Sequence, residues 1–162
     1  MAELTQLESK LAEVIGLAQA AQDTTRKVIK LVSDDEVSAI LKRMRAEAKE
    51  TVDRGLAIAG KLDGKKTAVQ KKARETKAEA TEMMQTYLGD DADALDGLEF
   101  MIMAEAGELG HVEIVRKLNE QVRNKDITKL ATWALKVQTR HFEQTRAAAL
   151  KVASQEDAKA TE

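Results

Sequence analysis

Cysteine and proline are absent from the 162 residues, and only four side chains are aromatic: Tyr87, Phe100, Trp133 and Phe142. Without cysteine there is no disulfide framework, no thiol nucleophile and no thiolate metal site. Without proline the strongest helix breaker is missing. No uncharged apolar run approaches the ~20 residues that a membrane span needs. The opening Met1-Ala2-Glu3-Leu4-Thr5 lacks a basic start followed by an apolar run, so no signal peptide is expected. The formal net charge is only −2, which gives no case for a nucleic-acid or membrane-surface partner. Neither a Gly-rich phosphate loop nor a supported Ser/His/Asp arrangement occurs.

Ala, Leu, Lys, Glu, Gln and Met dominate what remains, and all are good helix formers. The chain is long enough for one domain with a real core, here taken as residues 1–162. Leu4, Leu7, Leu11, Val14, Ala18, Ala21, Thr25, Val28 and Val32 keep a 3-4 spacing and predict a helix over about 3–32. Small residues in the middle of that seam leave room for a bulky neighbour or a polar site. Ser33-Asp34-Asp35-Glu36 has the form of a capping box for a second helix, about 34–61. Its seam is Val37, Ile40 or Leu41, Met44, Ala48, Thr51, Gly55, Ile58 and Leu62, ended by Gly60 and Gly64.

Residues 65–88 are helix-prone but weakly amphipathic. Between Lys65 and Lys77 stand six basic residues and one acidic. The segment is expected to be a solvated crossover helix; it lacks the interleaved aromatics of a nucleic-acid platform. Gly89-Asp90-Asp91 predicts a turn and N-cap before a third long helix, about 92–123. Asn124 is expected as its C-cap and Asp126 as the N-cap of the last helix, about 127–153. The pattern predicts an all-α, antiparallel four-helix bundle with a long helical crossover between helices two and three.

One stretch carries the chemistry. Leu98, Met101, Glu105, Glu108, Val112 and Val115 fall on one helical stripe, four of them apolar. Two carboxylates one turn apart therefore face a core, where they must be paired or bind a metal. His111 follows Glu108 at the Glu-x-x-His spacing with which bundles present ligands to an ion. The last helix brings Gln138-x-x-His141 to its own seam. In the second helix Glu47 and Glu50 flank Ala48 and Thr51.

Phe100-Met101-Ile102-Met103-Ala104-Glu105-Ala106-Gly107-Glu108-Leu109-Gly110-His111 resembles the third helix of small bacterial ferritin-like proteins of poorly known function. Trp133 to Phe142 resembles their fourth helix. Glu50-Thr51-Val52-Asp53-Arg54 looks like a decayed copy of a Glu-Thr-x-x-His run in their second. The resemblance implies a ferritin-like fold, a cytoplasmic location, a di-metal centre of iron or manganese and an association with stress responses.

Tested against that pattern, the first hairpin offers Ala18, Ala21 and Thr25, and Thr51 or Arg54 stands where a histidine belongs. Gln138 replaces an acid. Two readings stay open. In one, a degenerate site leaves a stress-associated binding or interaction protein rather than an enzyme. Glu105 and Glu108 then form a polar core with Gln138, His141, Gln22 and Thr25. In the other, iron or manganese binds through Glu105, Glu108 and His141, with His111, Glu47 and Glu50 as further candidates. Trp133 and Phe142, near the seam edge, predict a homodimer.

Overall fold

The computed structural model describes residues 2–161. Its helices are α1 (Gln6–Leu31), α2 (Asp35–Ala59), α3 (Lys66–Tyr87), α4 (Ala94–Val122) and α5 (Lys125–Ala153), and no strand forms among the described residues. Among the described residues no helix is long and apolar enough to cross a membrane.

Side chains set the helix starts. Thr5 Oγ1 accepts from the Glu8 amide at 3.3 Å while the Glu8 carboxylate accepts from the Thr5 amide at 2.7 Å, a capping box at α1. The box expected at Ser33 does not form. Asp34 caps α2 instead, accepting from the Val37 amide at 3.0 Å. A charged carboxylate satisfies that amide more strongly than a hydroxyl, and Lys151 of α5 holds Asp34 at 2.7 Å. Asn124 is the N-cap of α5 rather than the C-cap of α4, and Asp126 lies inside the first turn. Arg123, with φ 57°, ends α4. Buried Asn119 ties that turn together: its Nδ2 donates to the Asn124 carbonyl at 3.0 Å and its Oδ1 accepts from the Asn124 amide at 3.0 Å.

The helix directions follow from contacts between their ends. Lys65, before α3, reaches Glu8 at the start of α1, and Lys27 near the end of α1 donates to the Leu88 carbonyl after α3. These helices are therefore parallel. Gly97, at the start of α4, sits against Val28 and Leu31, so α4 is antiparallel to α1. Lys61 pairs with Asp126 at 2.8 Å and Lys151 with Asp34, so α2 and α5 are antiparallel. A ring of α1, α2, α5 and α4 results, each packed on the next, with α3 outside on α1.

The expectation of a solvated α3 is wrong along one face. Ala68, Val69, Ala73, Thr76 and Met84 are buried. They lie against a second face of α1 that includes Ala12, Gly16 and Ala20, all buried. A Cβ on Gly16 would lie 2.4 Å from the Ala73 carbonyl oxygen, so only glycine permits this approach. The face is made of small residues, which contribute little to amphipathic contrast and so hide a buried stripe.

Two apolar clusters fill the ring. One contains Leu7, Leu11, Ile15, Val115, Ile127 and Leu130; the other contains Val28, Val37, Leu41, Leu98, Met101 and Val152. Each fully buried leucine or isoleucine contributes about 1.5–3 kcal/mol. Along the helices, the buried polar residues Thr25, Thr51, Glu105, Glu108, Gln138, His141 and Thr145 stand between the two clusters.

Candidate functional site

All six residues of the α4 stripe are buried, with Glu105 2% and Glu108 6% exposed. The seam of α5 carries Gln138 and His141 to the same layer, each 2% exposed. Gln138 Nε2 donates to Glu108 Oε2 at 2.8 Å. Glu105 Oε2 approaches His141 Nδ1 at 3.4 Å, and on the far edge of the ring Glu47 Oε2 approaches Nε2 at 3.4 Å. Glu47 is also held by the Arg140 guanidinium and by Arg43 Nε at 3.5 Å. The result is a line of groups from the buried acid Glu105 through an imidazole to a half-buried, cation-paired carboxylate.

Burial dominates the electrostatics. It pushes the Glu105 carboxyl up to about 8. It holds Glu108 well above the carboxylate range, reinforced by Glu105 and opposed by His141 and the Gln138 N–H. Burial lowers His141, against the pull of Glu47 and Glu108. Burial thus favours the neutral form of both acids and of the imidazole.

The donor set does not fit a two-metal centre. No group of three or more His, Asp or Glu among the described residues is placed to hold an ion. Glu105 and Glu47 face opposite nitrogens of His141, whose lone pairs diverge, so the ring and both acids cannot converge. From the first hairpin, Thr25 Oγ1 donates to the Ala21 carbonyl at 2.7 Å and Thr51 Oγ1 to the Glu47 carbonyl at 3.1 Å, so both hydroxyls serve their own helix. Four buried atoms in this region have no hydrogen-bond partner among the described residues: Glu105 Oε2, Gln138 Oε1, Arg140 Nε and His141 Nε2.

Comparison with known proteins names no relative. No protein family matches the chain, and neither a curated protein nor a solved structure matches it.

Several expected site residues lie elsewhere. His111 is on the rim, its Nδ1 2.8 Å from the Gly107 carbonyl and its Nε2 3.4 Å from Glu13. An i, i+3 step turns the helix by about 300°, enough to carry His111 off the inward stripe. Glu50 is exposed and bonded to Arg54 at 2.6 Å, pointing away from the centre. Gln22 bonds neither acid through its side chain, and Thr25 bonds its own helix. Two arginines were not anticipated. The i, i+4 spacing of Arg43 and Glu47 was visible in the sequence; the reach of Arg140 from α5 to α2 was not.

Proposed function

We propose that this is a ferritin-like bundle with a degenerate metal site, acting as a stress-associated binding or interaction protein in the bacterial cytoplasm. The ring of two hairpins with one long helical connection supports the ferritin-like part of the reading. One observation carries the loss of the metal site: Arg140 and Arg43 already supply fixed cations to Glu47, the one acid from the first hairpin that reaches the centre. Burial then favours the neutral forms of Glu105 and Glu108, so the layer needs no added cation to balance charge.

The test is to load purified protein with Fe(II) or Mn(II), desalt it, and measure bound metal and melting temperature. The expected result is no retained metal and no change in melting. Retention of about one ion per chain with a raised melting temperature would replace this reading.

The second reading is a single iron or manganese ion held by Glu105, Glu108 and His141. The unpartnered Glu105 Oε2 favours it. Under it, the metal-linked rise in melting temperature disappears in Glu105→Leu.

Homodimer formation along the α5 edge belongs to the same proposal. Phe142 is half-buried there, while Arg54 already lies 4.1 Å over the Trp133 ring. A monomeric mass at micromolar concentration would sink it.

A further inference from the structure

Helix α4 is apolar on two sides. Its inward stripe packs in the ring. On the opposite side Glu99, Met103, Gly107, Gly110, Ile114 and Lys117 follow one another at steps of three and four along the outer surface. All are exposed except the half-buried Gly110. Met103 and Ile114 are each 45% exposed. Met83 and Tyr87 of α3, across a shallow groove from Met103, are 56% and 59% exposed. Of the six large apolar side chains exposed among the described residues, four therefore stand on or beside this strip. Singly such residues need no explanation, but a set gathered on one face marks an interaction surface.

Charge and symmetry say what covers the strip. Residues 89–115 hold no lysine or arginine, whereas residues 116–125 hold four basic side chains and one acid. Glu99 and Lys117 put these opposite signs at the two ends of the strip. The order is symmetric about the point between the two glycines. Met103 stands four residues before Gly107 and Ile114 four after Gly110; Glu99 stands eight before Gly107 and Lys117 seven after Gly110. The glycines mark a place for close approach. A Cβ on Gly16, Gly55 or Gly97 would meet an atom at 2.4, 2.5 or 3.1 Å, but one on Gly107 or Gly110 would meet nothing within 4 Å. Glycine inside a helix weakens it relative to alanine, and no contact among the described residues requires it at these two positions.

We propose that two copies of this chain pair across this face, with their α4 helices antiparallel and a two-fold axis between Gly107 and Gly110. Each Met103 then packs on the partner's Ile114, and each Glu99 meets the partner's Lys117, so every contact is made twice. The glycines let the helix axes come close where they cross. Met83 and Tyr87 flank the crossing and widen the apolar surface that is covered. A parallel pairing sets Glu99 on Glu99 and Lys117 on Lys117 and loses both ion pairs. A second copy supplies the reversed order of charge and the matching apolar positions by symmetry alone. From Glu99 to Lys117 is about 27 Å at 1.5 Å per residue, a short interface that suits reversible pairing rather than an obligate dimer. This surface is distinct from the α5 edge around Trp133 and Phe142, and the inference does not depend on whether a metal binds.

The chain has no cysteine, so introduced thiols report single positions. Full chains carrying Met103→Cys and Ile114→Cys, both at exposed positions, are mixed under a mild oxidant. A disulfide needs Cα atoms within about 7 Å. The mixture is expected to form a covalent dimer quickly. Either variant alone is not, because like positions then lie about 16 Å apart along the helix axis. Sedimentation equilibrium of the wild type should show monomer and dimer exchanging between micromolar and submillimolar concentration. Gly107→Lys, whose Cβ meets no atom of its own chain, should keep the wild-type helix content and abolish the dimer. Glu99→Lys should weaken pairing about fivefold, the worth of two exposed ion pairs, and adding Lys117→Glu should restore it. The proposal is overturned if the wild type stays monomeric throughout, if either cysteine variant cross-links alone as fast as the mixture, or if the paired charge exchange gives no rescue. It is equally overturned if Gly107→Lys pairs like wild type, because the dimer then belongs to the α5 edge.

Discussion

Hairpin α1–α2 brings alanine, threonine and glycine to the middle of the bundle, whereas α4–α5 brings two acids, an amide and an imidazole. The polar groups of the second hairpin bond or face one another: Gln138 with Glu108, His141 with Glu105. The small residues of the first hairpin serve close packing. A Cβ on Gly55 would lie 2.5 Å from Ile15 Cγ1, and one on Gly16 would strike α3. Small residues therefore do not mark an open cavity: fully buried Ile15 and Met44 fill the space. The comparison teaches that the polar centre belongs to one hairpin and meets the other chiefly through Glu47.

The sharpest way to break this comparison is pH. Burial pushes Glu105 up to about 8 in the fold, from the 4.5 of a free carboxyl. Between those values the folded chain holds a proton that the unfolded chain has lost, so stability falls as pH rises. The slope is about 1.4 kcal/mol per pH unit for each such acid. Glu108, also raised, adds to it. His141 acts oppositely: its lowered pKa makes stability rise with pH up to the 6.5 of a free imidazole. The fall should therefore be clearest from pH 6.5 to 8, measured by urea unfolding. Glu105→Leu should flatten it and stabilise the metal-free chain at pH 8, because an apolar residue removes the burial cost of a charge. An unchanged slope in the variant would mean that Glu105 is ionised and compensated, or exposed.

The packing side of the comparison is tested at Gly16. Valine there meets the Ala73 carbonyl and Thr76 Cβ, at 2.4 and 2.8 Å from the added Cβ. The backbone of α3 must move away, at a cost of about 3 kcal/mol. If thermal unfolding shows Gly16→Val to be as stable as wild type, then α3 is not held tightly on α1. His141→Ala follows, at about 2 kcal/mol, since it leaves Glu105 without its neighbour and opens a void. A variant that melts within a degree of wild type would remove His141 from the core.

Apolar periodicity made the four long helices legible, and the α4 stripe lies inward at all six positions. The period reads burial of large side chains well. It reads α3 poorly, because Ala68, Ala73 and Thr76 are buried by matching Ala12, Gly16 and Ala20 on another helix. It also cannot distinguish neighbouring residues at the edge of a stripe. Glu108 is buried and His111 is on the rim, although Glu-x-x-His spacing suggested a shared ion. Caps misled by one or two residues where capable side chains stood together: Asp34 caps α2 beside Ser33, Asp93 caps α4 two residues after Asp91, and Asn124 caps α5 two residues before Asp126. The arginines on Glu47 depend on which face of α5 meets α2, which no local pattern records.

The smallest expected difference separates two glutamates three residues apart on α2. Glu50 is exposed and pairs only with Arg54 of its own helix, so Glu50→Ala should cost about 0.3 kcal/mol, the usual worth of such a pair. Glu47 is half-buried and is approached by Arg43, Arg140 and His141. Removing its carboxylate takes their shared acid from two guanidinium groups beside a buried imidazole. Partial exposure lets water replace part of the loss, so Glu47→Ala should cost about 1 kcal/mol rather than the 3 or more of a fully buried pair. The comparison needs both variants in one buffer, because salt screens the surface pair more than the buried edge. Raising the salt concentration should shrink the Glu50→Ala effect towards zero and leave most of the Glu47→Ala effect. Equal costs, equally screened, would show that the first hairpin makes no electrostatic contribution to the centre.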